Sequence, residues 1–142
     1  MQNAIAVLIG RILLAAVFIP AGVQKLMGGI DGTAGMIAGA GLPAATALAY
    51  AAAIFEIVAG LAILLGFQTK IAAFALAAFC LFTAFVFHNG PIAMPDFPEA
   101  ANGMLTLFNK IMMFKNIGLA GGFLVLAGSG AGSLSLDARR TV

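Results

Sequence analysis

Apolar residues run along this chain in four long blocks, separated by stretches where glycine, proline and polar residues gather. The blocks cover about 4–26, 44–66, 71–88 and 103–128. The second, Ala44 to Gly66, is about as long as a helix needs to be to cross a bilayer. Along it Ala45, Ala49, Ala52, Ala53, Glu56 and Gly60 recur at helical spacing. Small residues on one face let a neighbouring helix approach closely. Phe67 to Lys70 is too short to do more than turn the chain, so blocks two and three form an antiparallel hairpin. The pattern predicts an all-α membrane protein, an antiparallel four-helix transmembrane bundle over 1–128, with a polar tail at 129–142.

The breaks are also informative. Residues 27–43 are glycine-rich and too broken to span. Thr33 to Ala40 reads as a short interfacial helix with Asp31 or Thr33 as its N-cap. Pro43 sits at the first turn of the next span. A lid over a cavity is the functional reading of this segment, and a sterically convenient connector the plain one. In the first block Pro20 is expected to kink the outer half. Arg11 interrupts that block and no cleavage site follows it, so it reads as a retained span, not a removed leader. The loop Asn89 to Asn102 is polar and carries Asp96 and Glu99. In the fourth block Gly118, Gly121 and Gly122 offer a close-approach surface, the basis for expecting a homodimer.

Composition sharpens the membrane reading. The chain has 142 residues, is 63% hydrophobic and only 8% charged, and has a mean hydropathy of +1.12. A soluble domain carries about 25% charged residues. The surface of this bundle must therefore face a lipid bilayer. The net charge of +2 is spread along the chain without a basic patch, which excludes a case for nucleic-acid binding. Cys80 stands alone, so there is no intrachain disulfide and no CxxC pair, and it reads as a small packing residue. One histidine and no ligand cluster predict no metal site. No phosphate-binding loop, dinucleotide fingerprint or Ser-His-Asp signature occurs, and Met104, Met112 and Met113 read as adaptable packing.

The few polar residues within the spans carry what chemistry there is. An ionisable group inside a bilayer is costly unless it is neutralised or paired. At a rise of about 1.5 Å per residue, Arg11 lies roughly 10 Å from one end of its span and Glu56 roughly 15 Å from the same side. This predicts a buried pair of Arg11 with Glu56. Lys25, His88 and Lys115 fall nearer the opposite side and form an outer mouth, with Asn116 either in that mouth or bonded between helices. Each has a plain alternative: Arg11 turned towards headgroups or Asp137, Lys25 an interface anchor, His88 a helix cap, Glu56 a structural ion-pair partner. Lys70, Arg139 and Arg140 on one side, against Asp31, Asp96 and Glu99 on the other, favour cytoplasmic termini.

Taken in order, these residues resemble the DoxX family of small four-helix bacterial membrane proteins. The resemblance rests on Arg11, Phe18, Gly22, Lys25 and Leu26, then Gly41-Leu42-Pro43, Glu56, Gly60, Gly66 and His88. It closes with Phe114-Lys115-Asn116, Gly121-Gly122 and Ser135-Leu136-Asp137. It implies an inner-membrane protein whose relatives include subunits of membrane oxidoreductase systems, one of them in a thiosulfate:quinone oxidoreductase. The expectation is a membrane subunit that handles a quinone or similar apolar small molecule beside a redox partner protein. A non-enzymatic scaffold or assembly factor is the alternative. A solute transporter is disfavoured, because the chain has no inverted repeat.

Overall fold

The computed structural model describes residues 3–140; residues 1, 2, 141 and 142, which the expected bundle and tail include, lie outside the described residues. The chain is all helix among the described residues: α1 (Ala4–Gln24), α2 (Ile30–Gly39), α3 (Ala45–Leu65), α4 (Thr69–Phe87), α5 (Glu99–Ser129) and the short α6 (Leu136–Arg139). Four of its helical stretches are long and apolar enough to cross a membrane. The expected fold class is therefore the observed one.

The helices assemble as two antiparallel pairs. In the first, α1 packs along α3 with its glycines at the seam. A Cβ on Gly22 would lie 2.5 Å from the Ala53 carbonyl oxygen and 2.7 Å from Ile57, so only glycine permits this approach. Gly60 meets Ile19 and Phe18 in the same way from the α3 side. In the second pair α4 packs along α5, joined at the seam by Asn116 to Thr83 and by His88 to Asn109. The pairs meet at the Gly66 end. Phe18 and Phe123 stack edge to face there, 5.4 Å between centroids, within a core that includes Ala15, Ile63, Leu76 and Leu126. Towards the His88 end a cavity lies between the pairs, and Phe87 of α4 bridges it to pack against α2 and α3.

Two junctions differ from the sequence expectation. α1 continues through Pro20 to Gln24, and a break follows at Lys25–Gly29, a single π-helical turn. Gly28, with φ 136°, breaks the geometry there and redirects the chain into α2. Neither Asp31 nor Thr33 caps α2. Both lie inside it, and the Thr33 hydroxyl donates to the Gly29 carbonyl one turn back. α5 begins at Glu99, not near Gly103. Its first turns are polar because they strap the preceding loop: Asn102 bonds Met94, Thr106 bonds Ile92 and Asn109 bonds Gly90.

The Gly66 end is closed by the segment after α5. Gly66 (φ 67°) ends α3 in the left-handed conformation, with the Phe67 amide bonded back to Ala62 and the Gly66 amide to Ile63. That pattern takes up carbonyls the last helical turn leaves unpaired. Ser135 packs on Gly66 where a side chain would otherwise stand. Asp137 then caps α4 from a distance. Its two oxygens accept from the Gln68 and Thr69 amides at 2.8 and 2.9 Å, while its own amide donates to the Gly66 carbonyl. The polar tail is in this way docked against the α3–α4 turn.

Candidate functional site

Arg11 and Glu56 are both buried, at 2% and 5% exposure, but they do not meet. The expected pair is corrected by the helix register. Gly22 lies against Ala53 and Ile57, and Arg11 against the end of α3, so α1 overshoots α3 by about two turns. The depth comparison assumes flush helix ends. With the observed offset, Arg11 stands level with Leu65, roughly 15 Å along the helix from Glu56. Its guanidinium donates to the carbonyls of Ile63 (3.0 Å) and Leu64 (2.8 Å) on α3, and of Ala131 (2.7 Å) and Leu134 (2.9 Å) beyond α5. Asp137 supplies the nearby negative charge. Arg11 is thus a structural clasp at a helix C-terminus, where unpaired carbonyls and the helix dipole both favour a cation.

Glu56 pairs with Lys25 instead, 2.6 Å from Nζ to Oε2. Lys25 reaches it from the first residue of the π-helical turn, about three residues beyond the Gly22 seam. Lys25 itself keeps regular helical backbone, its amide bonded back to Ala21, and the break follows at Gly28. The pair lies on the wall of a cavity of about 570 Å³ between the two helix pairs. His88, Lys115 and Asn116 line the same cavity. Of the six residues singled out in the sequence, five therefore converge and Arg11 stands apart.

The rest of the lining is mostly apolar, with Phe18, Phe55, Phe79, Phe82 and Phe87 prominent. Phe55 and Phe79 face each other across α3 and α4 at 5.2 Å. α2 forms part of the wall through Thr33, Met36 and Ile37, while Ile30 and Ile37 pack on Ala49 and Ala53 of α3. The glycine-rich segment is thus a cover seated beside the cavity.

Hydrogen bonds orient the polar groups. The Asn116 amide donates to the Thr83 hydroxyl at 2.9 Å, and that hydroxyl donates to the Cys80 carbonyl. Asn109 donates through Nδ2 to the Gly90 carbonyl, which turns its Oδ1 to His88 Nδ1 at 2.8 Å. An oxygen facing Nδ1 makes that nitrogen the donor of this bond. Thr83 and Asn109 are functional neighbours that sequence reading passed over. Their signal was helical spacing: Asn102, Thr106 and Asn109 share a face of α5, and Thr83 lies on α4 one turn before Phe87. Lys115 has no hydrogen-bond partner among the described residues, yet its charge acts on both Glu56 and Cys80. No group of three or more metal-binding side chains occurs among the described residues.

Comparison with known proteins gives a consistent family signal. The DoxX family model matches residues 6–89. The chain is 37% identical over 133 residues to inner membrane protein YqjF of Escherichia coli (strain K12), covering 94% of this chain and 90% of that protein. It is 36% identical over 135 residues to inner membrane protein YphA of the same organism, covering 95% and 90%. No solved structure matches.

Proposed function

The chain belongs to the DoxX family, and from that premise we propose that it is a multi-pass inner-membrane subunit of an oxidoreductase system, holding a quinone or similar lipid-soluble molecule in the cavity between its helix pairs. One observation carries this reading: Lys25, Glu56, His88, Lys115 and Asn116, drawn from four segments, all line one cavity whose remaining wall is largely aromatic and aliphatic. Small-molecule sites have this character, an apolar chamber of about 300–1,000 Å³ with a few converging polar groups. The phenylalanines suit a flat apolar body. The ammonium groups of Lys25 and Lys115 suit the oxygen of a polar head. His88, bonded to Asn109 through Nδ1, suits the exchange of a proton with such a head. Electrons would come from a redox partner protein.

Native mass spectrometry of the gently extracted protein tests this reading. A bound lipid-soluble molecule, displaced by added decylubiquinone, is the expected result. A stable partner protein with no bound small molecule would favour a scaffold instead. That second reading has its own support, because the Arg11 clasp and the Asp137 cap show ionic side chains of this chain spent on holding helices together.

A further inference from the structure

The charges on the cavity wall do not balance. Lys25 and Lys115 are cations and Glu56 is the one carboxylate; the other acidic side chains of the chain lie elsewhere. Lys25 takes the short contact with that carboxylate. Lys115 approaches from the facing pair and has to share it, with no acceptor of its own among the described residues. The bond from its neighbour Asn116 to Thr83 places Lys115 within the length of α4, inside the spanning layer. Lys115 lines the cavity and is itself exposed, so its ammonium is open to whatever occupies that space. The other polar lining groups, Thr33, Thr83, Asn116 and His88, supply no negative charge. A cation in a low-dielectric chamber is stable only when a counter-charge and hydrogen-bond acceptors meet it.

We propose that the cavity selects lipid-soluble monoanions, with an apolar body against the phenylalanines and a single oxyanion head, carboxylate or ionised phenol, seated at Lys115 beside the Lys25–Glu56 pair. The head completes an alternating set of two cations and two anions. This rests on the cavity being a ligand site and narrows what that site accepts.

The test uses the full chain in nanodiscs of zwitterionic lipid. Binding of radiolabelled palmitate and of hexadecan-1-ol, which share a chain and differ in head charge, is measured by scintillation proximity. Palmitate is expected to bind at least about tenfold tighter than the alcohol, Lys115→Met to cut that preference to about threefold or less, and Lys115→Arg to keep it. Equal affinity for acid and alcohol, or an acid preference that survives Lys115→Met, would overturn the proposal. Should Lys115→Met fail to fold, the acid-to-alcohol ratio of the unaltered protein decides. If decylubiquinone and the alcohol bind while the acid gains nothing, the ligand site stands and its charge selectivity falls. If none of the three binds, both readings fall.

Discussion

Glu56 and Arg11 meet the same difficulty, a charge inside an apolar bundle, in different ways. Glu56 takes an opposite charge, and Arg11 takes four backbone carbonyls. Their mutational signatures should differ accordingly. Glu56→Gln leaves Lys25 without its partner; because Lys25 is 24% exposed, the cost should fall at or below about 3 kcal/mol, under the full range for a dry pair. The double variant Lys25→Met with Glu56→Leu should recover most of that loss in thermal unfolding in detergent. Arg11→Gln leaves buried carbonyls unsatisfied, each at about 1–3 kcal/mol, and no second substitution at Glu56 should rescue it. A strong coupling between Arg11 and Glu56 in a double-mutant cycle would contradict the register described above. The sequence made it plain that both residues are buried and need partners, since charge within an apolar block says so. It did not say which partner, because the pairing depends on how far one helix slides along another.

Among the elements, the seam between α1 and α3 was legible, and the small face of α5 was read as a contact between copies. Gly22 and Gly60 lie among small residues at helical spacing, and the structure uses them for close approach. Gly118 and Gly121 show the same pattern, yet a Cβ on either would meet nothing within 4 Å. Spacing identifies a small face; it does not tell whether that face looks into the bundle or out of it. Gly22→Ala should therefore cost about 2–3 kcal/mol, because the clash is with backbone as well as side chain. Gly118→Ala should leave the monomer's stability unchanged. If α5 joins two copies through this outward face, crosslinking from single cysteines along α5 should follow the helical period and be lost in Gly118→Leu. Aperiodic or absent crosslinks would remove that surface as a dimer contact. The π-helical turn at Lys25–Gly29 was not legible. Two adjacent glycines signal a break, but the pairing of Lys25 with Glu56 follows from how α1 packs on α3.

At the scale of the whole molecule, two helix pairs share one apolar core and hold a chamber between them beyond it. Four apolar blocks foretold the spans; block lengths do not report the cavity between the pairs. The charge distribution sets an expected orientation, with the Gly66 end in the cytoplasm. Reporter fusions after Gly66 and after Val142 should both read cytoplasmic, and a periplasmic signal from the second would reverse the orientation. That end also carries a pH dependence. Partial burial works to raise the Asp137 pKa, but the Thr69 and Gln68 amides and the charge of Arg140 outweigh it and hold the group below its ordinary value. A carboxyl depressed in the folded state stabilises the fold above its unfolded pKa, and the contribution disappears as pH falls through the folded one. Thermal stability should thus decline below about pH 4 in the unaltered protein, and Asp137→Asn should flatten that part of the profile.

The clasp at Arg11 also has a consequence in time. Its last two acceptors, Ala131 and Leu134, are made 120 and 123 residues after it. At about 5–20 residues per second, the guanidinium waits roughly 6–24 s between its own synthesis and theirs. Biogenesis of this protein therefore finishes by joining its earliest span to a late segment, after the intervening spans have entered the bilayer. Chains cut before Ala131 should be cleared faster in pulse–chase labelling than chains cut after Arg140, because only the former lack two of the four carbonyls that hold the Arg11 guanidinium.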